Sequence, residues 1–156
     1  MISQSRITVR YAETDQMGIA HHSNYPIWYE VARTELIKKM GLSYTQMEQN
    51  GVIVPLVELQ CKYLSAAYYE DKLIVEASLK SVSPVKLEFE YCIYREGEEK
   101  PLNVGRTVHA LVGKDLKPMN VRKMHPEIYQ MLLTAIEQPL LEEKEEQTDS
   151  ADNSSI

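Results

Sequence analysis

One segment limits the folds open to this chain more than any other. From Tyr25 to Ala32 only Pro26 and Glu30 interrupt a run of large or apolar side chains. Ser23 stands where it can cap a helix by accepting a bond from a backbone N–H one turn on. Pro26 falls in the first turn, where its missing N–H costs nothing. Polarity returns at Arg33, Glu35, Lys38 and Lys39. The cations lie in the last turn, where the helix dipole favours them, and Gly41 supplies the stop. A helix apolar nearly all round is buried on most of its sides. The rest of the chain therefore has to cover it.

Most of what remains reads as strand. Arg6 to Tyr11 alternates Ile7, Val9 and Tyr11 against Arg6, Thr8 and Arg10, which predicts a first strand with one buried face. Ser43 to Gln46 reads as a capping box opening a short second helix, and Gly51 closes it. Four alternating stretches follow, centred on Val57 to Tyr63, Leu73 to Leu79, Val85 to Ile93 and Val104 to Val112. Short polar connections join them, so antiparallel neighbours are expected. His125-Pro126-Glu127 opens a last helix with an apolar stripe of Ile128, Met131, Leu132 and Ile136, ended by Pro139. The expected class is α+β, with a five-stranded antiparallel sheet curled around a long central helix. Such a sheet leaves one face and its edges uncovered. Tyr63, Tyr68, Tyr69, Tyr91 and Tyr94 suit an interface. A homodimer or homotetramer is expected, joined through sheet edges.

Length and charge bound the remaining classes. At 156 residues the chain holds one domain, expected over 1–138, and a tail over 139–156. Residues 137–156 carry seven acidic residues and one lysine, which accounts for the whole formal charge of −6. The body is formally neutral and has no basic stripe, so no nucleic-acid partner is expected. The tail is rich in Ser, Asp and Asn and poor in aromatics, and is expected to be disordered. No apolar run is long enough to span a membrane. Met1 to Arg6 lacks the apolar core of a signal peptide, which points to a cytoplasmic address. The two cysteines, Cys61 and Cys92, make neither a disulfide framework nor a metal site.

The chemistry concentrates just before the apolar helix, in Tyr11-Ala-Glu-Thr-Asp15-Gln-Met-Gly18-Ile-Ala-His21-His22-Ser-Asn-Tyr25. Alone, Asp15 reads as a loop aspartate that turns the backbone. Its setting adds a second reading. Gly18 lets the backbone approach a ligand closely. The helix start offers unpaired N–H groups that would polarise a thioester or ester carbonyl and stabilise its oxyanion. A carboxylate arriving from the loop can attack that carbonyl or activate a water. His21 and His22 could join Glu13 or Asp15 on a metal, but adjacent histidines can point in divergent directions and no metal-ligand spacing is present, so no metal is expected. His109 reads as structural, on the polar side of its strand. No phosphate loop, dinucleotide fingerprint or nucleophile elbow occurs, so no cofactor is assigned.

Asp15-x-x-Gly18-x-x-x-His22-x-x-Tyr25, followed by Trp28-Tyr29-Glu30-x-Ala32-Arg33, resembles the hot-dog-fold acyl-CoA thioesterases of the 4-hydroxybenzoyl-CoA thioesterase type. Within them it is most similar to the branch of the Tol-Pal cluster thioesterase. The resemblance covers roughly residues 5–135. It implies Asp15 as the catalytic carboxylate and the backbone N–H of His22 as oxyanion donor. It implies Tyr25 in the acyl pocket, a pocket between two subunits, and cations near the CoA phosphates. Lys86 and Arg122 are the candidates for those cations. Many relatives carry an aromatic residue at the position of His21, which bears on acyl preference. Two other readings stay open at this point. One is a hot-dog hydratase or dehydratase, although its usual Asp-x-Asn-Pro-x-His loop is absent. The other is a non-catalytic module that binds acyl thioesters.

Overall fold

The computed structural model describes residues 1–136. Five strands form one sheet: β1 (Ile2–Thr8), β2 (Leu56–Tyr63), β3 (Lys72–Val82), β4 (Lys86–Arg95) and β5 (Pro101–Ala110). Their order is β1-β3-β4-β5-β2 and every pair is antiparallel. The helices are α1 (Asn24–Lys39), α2 (Tyr44–Gln49), α3 (Val121–Met124) and α4 (126–136). The α+β class and the antiparallel sheet agree with the sequence expectation. Pro139 and the tail lie outside the described residues. Among the described residues no helix is long and apolar enough to cross a membrane.

α1 spans 16 residues and packs against β1 and β3. Tyr25, Trp28, Tyr29, Ala32, Leu36 and Ile37 are buried on one stripe of it. Leu36 and Ile37 each contribute about 1.5–3 kcal/mol by leaving water. The expectation of burial on most sides is not met, because Ile27 and Val31 on the other side are exposed. β3 and β4 bury the faces that their alternation marks. Val75 lies opposite Ile93, Ala77 opposite Tyr91 and Leu79 opposite Phe89. Ser43 caps α2 by accepting from the Gln46 N–H at 3.0 Å. Gly41 and Gly51 take positive φ where their helices end, as the sequence reading requires.

Three expectations need correction. β1 runs over Ile2–Thr8, earlier than the predicted stretch. Its buried positions begin at Ser3 and Ser5, and Tyr11 is exposed in a 3-10 turn, Tyr11–Glu13. Small serines are favoured there because α1 crosses close by: Ser3 Oγ donates to the Ala32 carbonyl at 2.9 Å. In β5 the polar face is the buried one. Asn103, Thr107 and His109 lie inside, and Gly105 leaves the space that the Tyr29 ring occupies. These polar groups tolerate burial because they bond one another and their neighbours. Tyr29 Oη donates to Asn103 Oδ1, and Tyr91 Oη lies 2.6 Å from Thr107 Oγ1. His109 Nε2 is 3.0 Å from that same Oγ1. β2 buries neither face. Val57, Leu59 and Tyr63 are exposed along an outer edge strand that nothing among the described residues covers.

Candidate active site

The loop before α1 is built by its own backbone. Asp15 N–H donates to the Ile19 carbonyl at 2.9 Å, and Gly18 N–H returns to the Asp15 carbonyl at 3.0 Å. Gly18 holds φ +80°, which any side chain would strain. Asp15 Oδ1 accepts from the Met17 N–H at 2.8 Å. The turn-forming role of Asp15 is therefore real, but it uses one carboxylate oxygen. Among the described residues Oδ2 has no hydrogen-bond or ionic partner. Ala20 N–H to the Ala67 carbonyl at 2.8 Å docks the loop on the segment after β2.

Asp15, His22 and Tyr25 line one cleft of about 350 Å³. Met17, Ile19, Tyr63 and Leu64 add apolar walls. Tyr25 is buried against Trp28 and meets the Tyr63 ring edge-on at 5.0 Å. Burial pushes its phenol above the ordinary range, so it stays neutral. His22 N–H has no acceptor among the described residues, while its carbonyl accepts from Tyr63 Oη at 3.1 Å. A residue with an open carboxylate oxygen and one with an unengaged backbone donor thus line the same largely apolar space. That combination suits attack on a carbonyl whose oxygen needs a donor.

Other expected residues are placed differently. Gly18 serves the turn. Ser23 does not cap α1, because its own backbone is helical and its Oγ lies 2.7 Å from His21 Nδ1. The His21 and His22 rings lie 4.0 Å apart and tilted, and the Glu13 carboxylate is engaged by Arg10 and Trp28 instead. Among the described residues no three potential metal ligands cluster. Lys86 and Arg122 do not reach this cleft. Lys86 opens β4, and α3, which carries Arg122, is tied to the adjacent turn by Val121 N–H to the Pro84 carbonyl at 2.9 Å. Tyr63 pairs with Asn103, which pairs with Ile93 near the other end of β4. At ~3.4 Å per residue the seven steps from Lys86 to Ile93 span roughly 24 Å along the strand.

Glu13 is the residue that sequence reasoning underrated. Its carboxylate is buried and accepts from Arg10 N–H at 2.8 Å, Arg10 Nε at 3.2 Å and Trp28 Nε1 at 2.9 Å. Burial alone would raise its pKa. The bonds from the Arg10 backbone, the Trp28 indole and the Arg10 guanidinium outweigh it and hold the group below the usual carboxylate range. Its carbonyl accepts from His21 N–H and Asn24 Nδ2, each at 2.8 Å. Glu13 thereby fastens the loop to the buried face of α1. No local pattern signals this, because Trp28 meets Glu13 only after α1 packs.

Known proteins resemble this chain in sequence and in fold. YneP of Bacillus subtilis (strain 168), which carries an acyl-CoA thioesterase name, is 38% identical over 127 residues, covering 81% of this chain and 91% of that protein. Acyl-CoA thioesterase YbgC of Haemophilus influenzae is 29% identical over 90 residues, 57% of this chain and 66% of that one. The crystal structure of DHNA-CoA thioesterase from Staphylococcus aureus superposes with a TM-score of 0.82 at 33% identity, over 92% of this chain and 95% of that one. The fold is thus the hot-dog thioesterase fold. Residues 17–102 match the family described as the thioesterase superfamily, and with that span and these identities the chain belongs to it.

Proposed function

We propose that this protein hydrolyses acyl-CoA thioesters, with Asp15 as the catalytic carboxylate and the His22 N–H as oxyanion donor. One observation carries the reading: Asp15, with one carboxylate oxygen open, and His22, with its N–H unengaged, line the same cleft. In the reaction a thioester and water become a carboxylate and a thiol. Asp15 acts as nucleophile or as general base toward water, and the oxyanion formed at the carbonyl is held at the start of α1. One such donor is worth about 3–4 kcal/mol in the transition state. The resemblance to the 4-hydroxybenzoyl-CoA thioesterase type and its Tol-Pal branch supports the same assignment, as does the match to YbgC.

The exposed edge strand β2 supports a homodimer, as an apolar edge left open invites pairing. Lys86 and Arg122 then act at the cleft of a second copy, where they meet the CoA phosphates. In the same reading α1 is the helix around which the sheet curls. A thiol-release assay over aliphatic and aromatic acyl-CoAs, with DHNA-CoA included, tests the activity. Asp15→Asn is expected to lower kcat on the best substrate by about a hundredfold or more. Full activity in that variant would remove Asp15 from the chemistry.

A further inference from the structure

We infer that Asn24 is a positioning residue that aims the His22 N–H at the cleft. The inference rests on the thioesterase reading above and adds a residue to it. Asn24 is the first residue of α1, one after the N-cap position Ser23, in a helix-start turn that also accepts Ser or Asp. Neither of those side chains carries two N–H donors, and two donors are what the site uses. Asn24 Nδ2 donates to the Glu13 carbonyl at 2.8 Å and to the His21 carbonyl at 2.9 Å. The Asn24 backbone N–H also donates to the His21 carbonyl, at 3.1 Å. Both lone pairs of that carbonyl are thus engaged by one residue.

The peptide joining His21 to His22 is trans, so its C=O and N–H point in opposite directions. Pinning the carbonyl on Asn24 pins the N–H away from Asn24. That N–H belongs to a cleft-lining residue and has no acceptor among the described residues. Two donors on the carbonyl also polarise the peptide and strengthen its N–H as a donor. The second bond of Nδ2 refers this peptide to Glu13, whose carboxylate is locked on Trp28 in the core. The aim of the donor is therefore set by the buried helix and not by a free loop. Before any substrate arrives the donor is already oriented, which is what oxyanion stabilisation requires.

The test uses the whole chain, the acyl-CoA it hydrolyses best and the thioether analogue of that substrate, which binds but cannot form an oxyanion. Asn24→Ser removes both amide donors, and Asn24→Asp removes them while keeping the shape. Each is expected to lower kcat by about ten- to a hundredfold. The KM and the Kd of the thioether should stay within about threefold, because the donor acts on the transition state. Should either variant fail to fold, the other carries the same expectation. A kcat within about threefold of wild type overturns the inference. So does a loss confined to KM or to thioether binding, or one that only follows the folded fraction at the assay temperature. If Asp15→Asn is inactive while the Asn24 variants are fully active, the thioesterase reading stands without this residue. If the wild type turns over no acyl-CoA at all, both fall.

Discussion

Acidification is expected to weaken this fold through one side chain, His109. The imidazole is 2% exposed on β5. Its Nε2 lies 3.0 Å from Thr107 Oγ1, its Nδ1 3.4 Å from the Val54 carbonyl, and Phe89 closes edge-on at 5.4 Å. Among the described residues no carboxylate bonds the ring. Burial, and then the Arg33 cation, push its pKa from 6.5 down to about 4, against a smaller upward pull from Val54. Between those two values the unfolded chain takes up a proton that the folded chain refuses. Stability therefore falls as pH falls through that window, by about 1.4 kcal/mol per pH unit. The loss is about 2 kcal/mol at pH 5 and about 3 kcal/mol near pH 4, and it levels off just above that at lower pH. Above pH 6.5 the group makes no difference. Urea unfolding of the wild type and of His109→Gln, followed by the fluorescence of buried Trp28 at fixed protein concentration, reads the effect. Between about pH 7.5 and pH 5 the wild type should lose about 2 kcal/mol more than the variant. Equal losses, within about 0.5 kcal/mol, would show that His109 is not held neutral by its site.

Two further outcomes concern the scaffold of the cleft. Glu13→Gln keeps the shape but turns an amide donor toward the donors of Arg10 and Trp28, at a cost of about 1–3 kcal/mol in thermal unfolding. The native carboxylate has a depressed pKa, so its stabilising effect is present above about pH 4.5 and is lost as pH falls through the lower folded value. The variant should accordingly lose less stability than the wild type on acidification below pH 4.5, and an identical acid profile would refute this. Gly105→Ala places a Cβ 2.6 Å from Tyr29 Cε2. That ring cannot swing away, being stacked on Tyr91 at 4.3 Å and bonded to Asn103. A loss of about 1–3 kcal/mol is expected, read as a lower melting temperature, and an unchanged melting temperature would count against the packing described.

Local features were the ones legible in the chain before folding. Alternation in β3 and β4 marked the faces that are buried, because both strands lie inside the sheet and bury a hydrocarbon face. Gly41, Gly51 and the Ser43 cap act within a single turn, so their neighbours in sequence are their neighbours in space. The Asp15 to Tyr25 loop could be read as one unit for the same reason: it runs directly into α1, and Asp15, His22 and Tyr25 line one cleft.

Tertiary packing decided the rest. β5 hides Asn103, Thr107 and His109 because Tyr29 and Tyr91, from a helix and a neighbouring strand, complete their hydrogen bonds. β2 looks amphipathic yet stays exposed, because a strand's buried face depends on what packs over it, and the described residues supply nothing there. Lys86 and Arg122 are cations in any reading, but the register sets them at the far end of the sheet from Asp15. Glu13 and Asn24 acquired their roles only when Trp28 and the loop carbonyls were brought against them. Periodicity reports which side chains prefer to leave water. It does not report which partner will be there to receive them, and for polar groups that partner is what makes burial affordable.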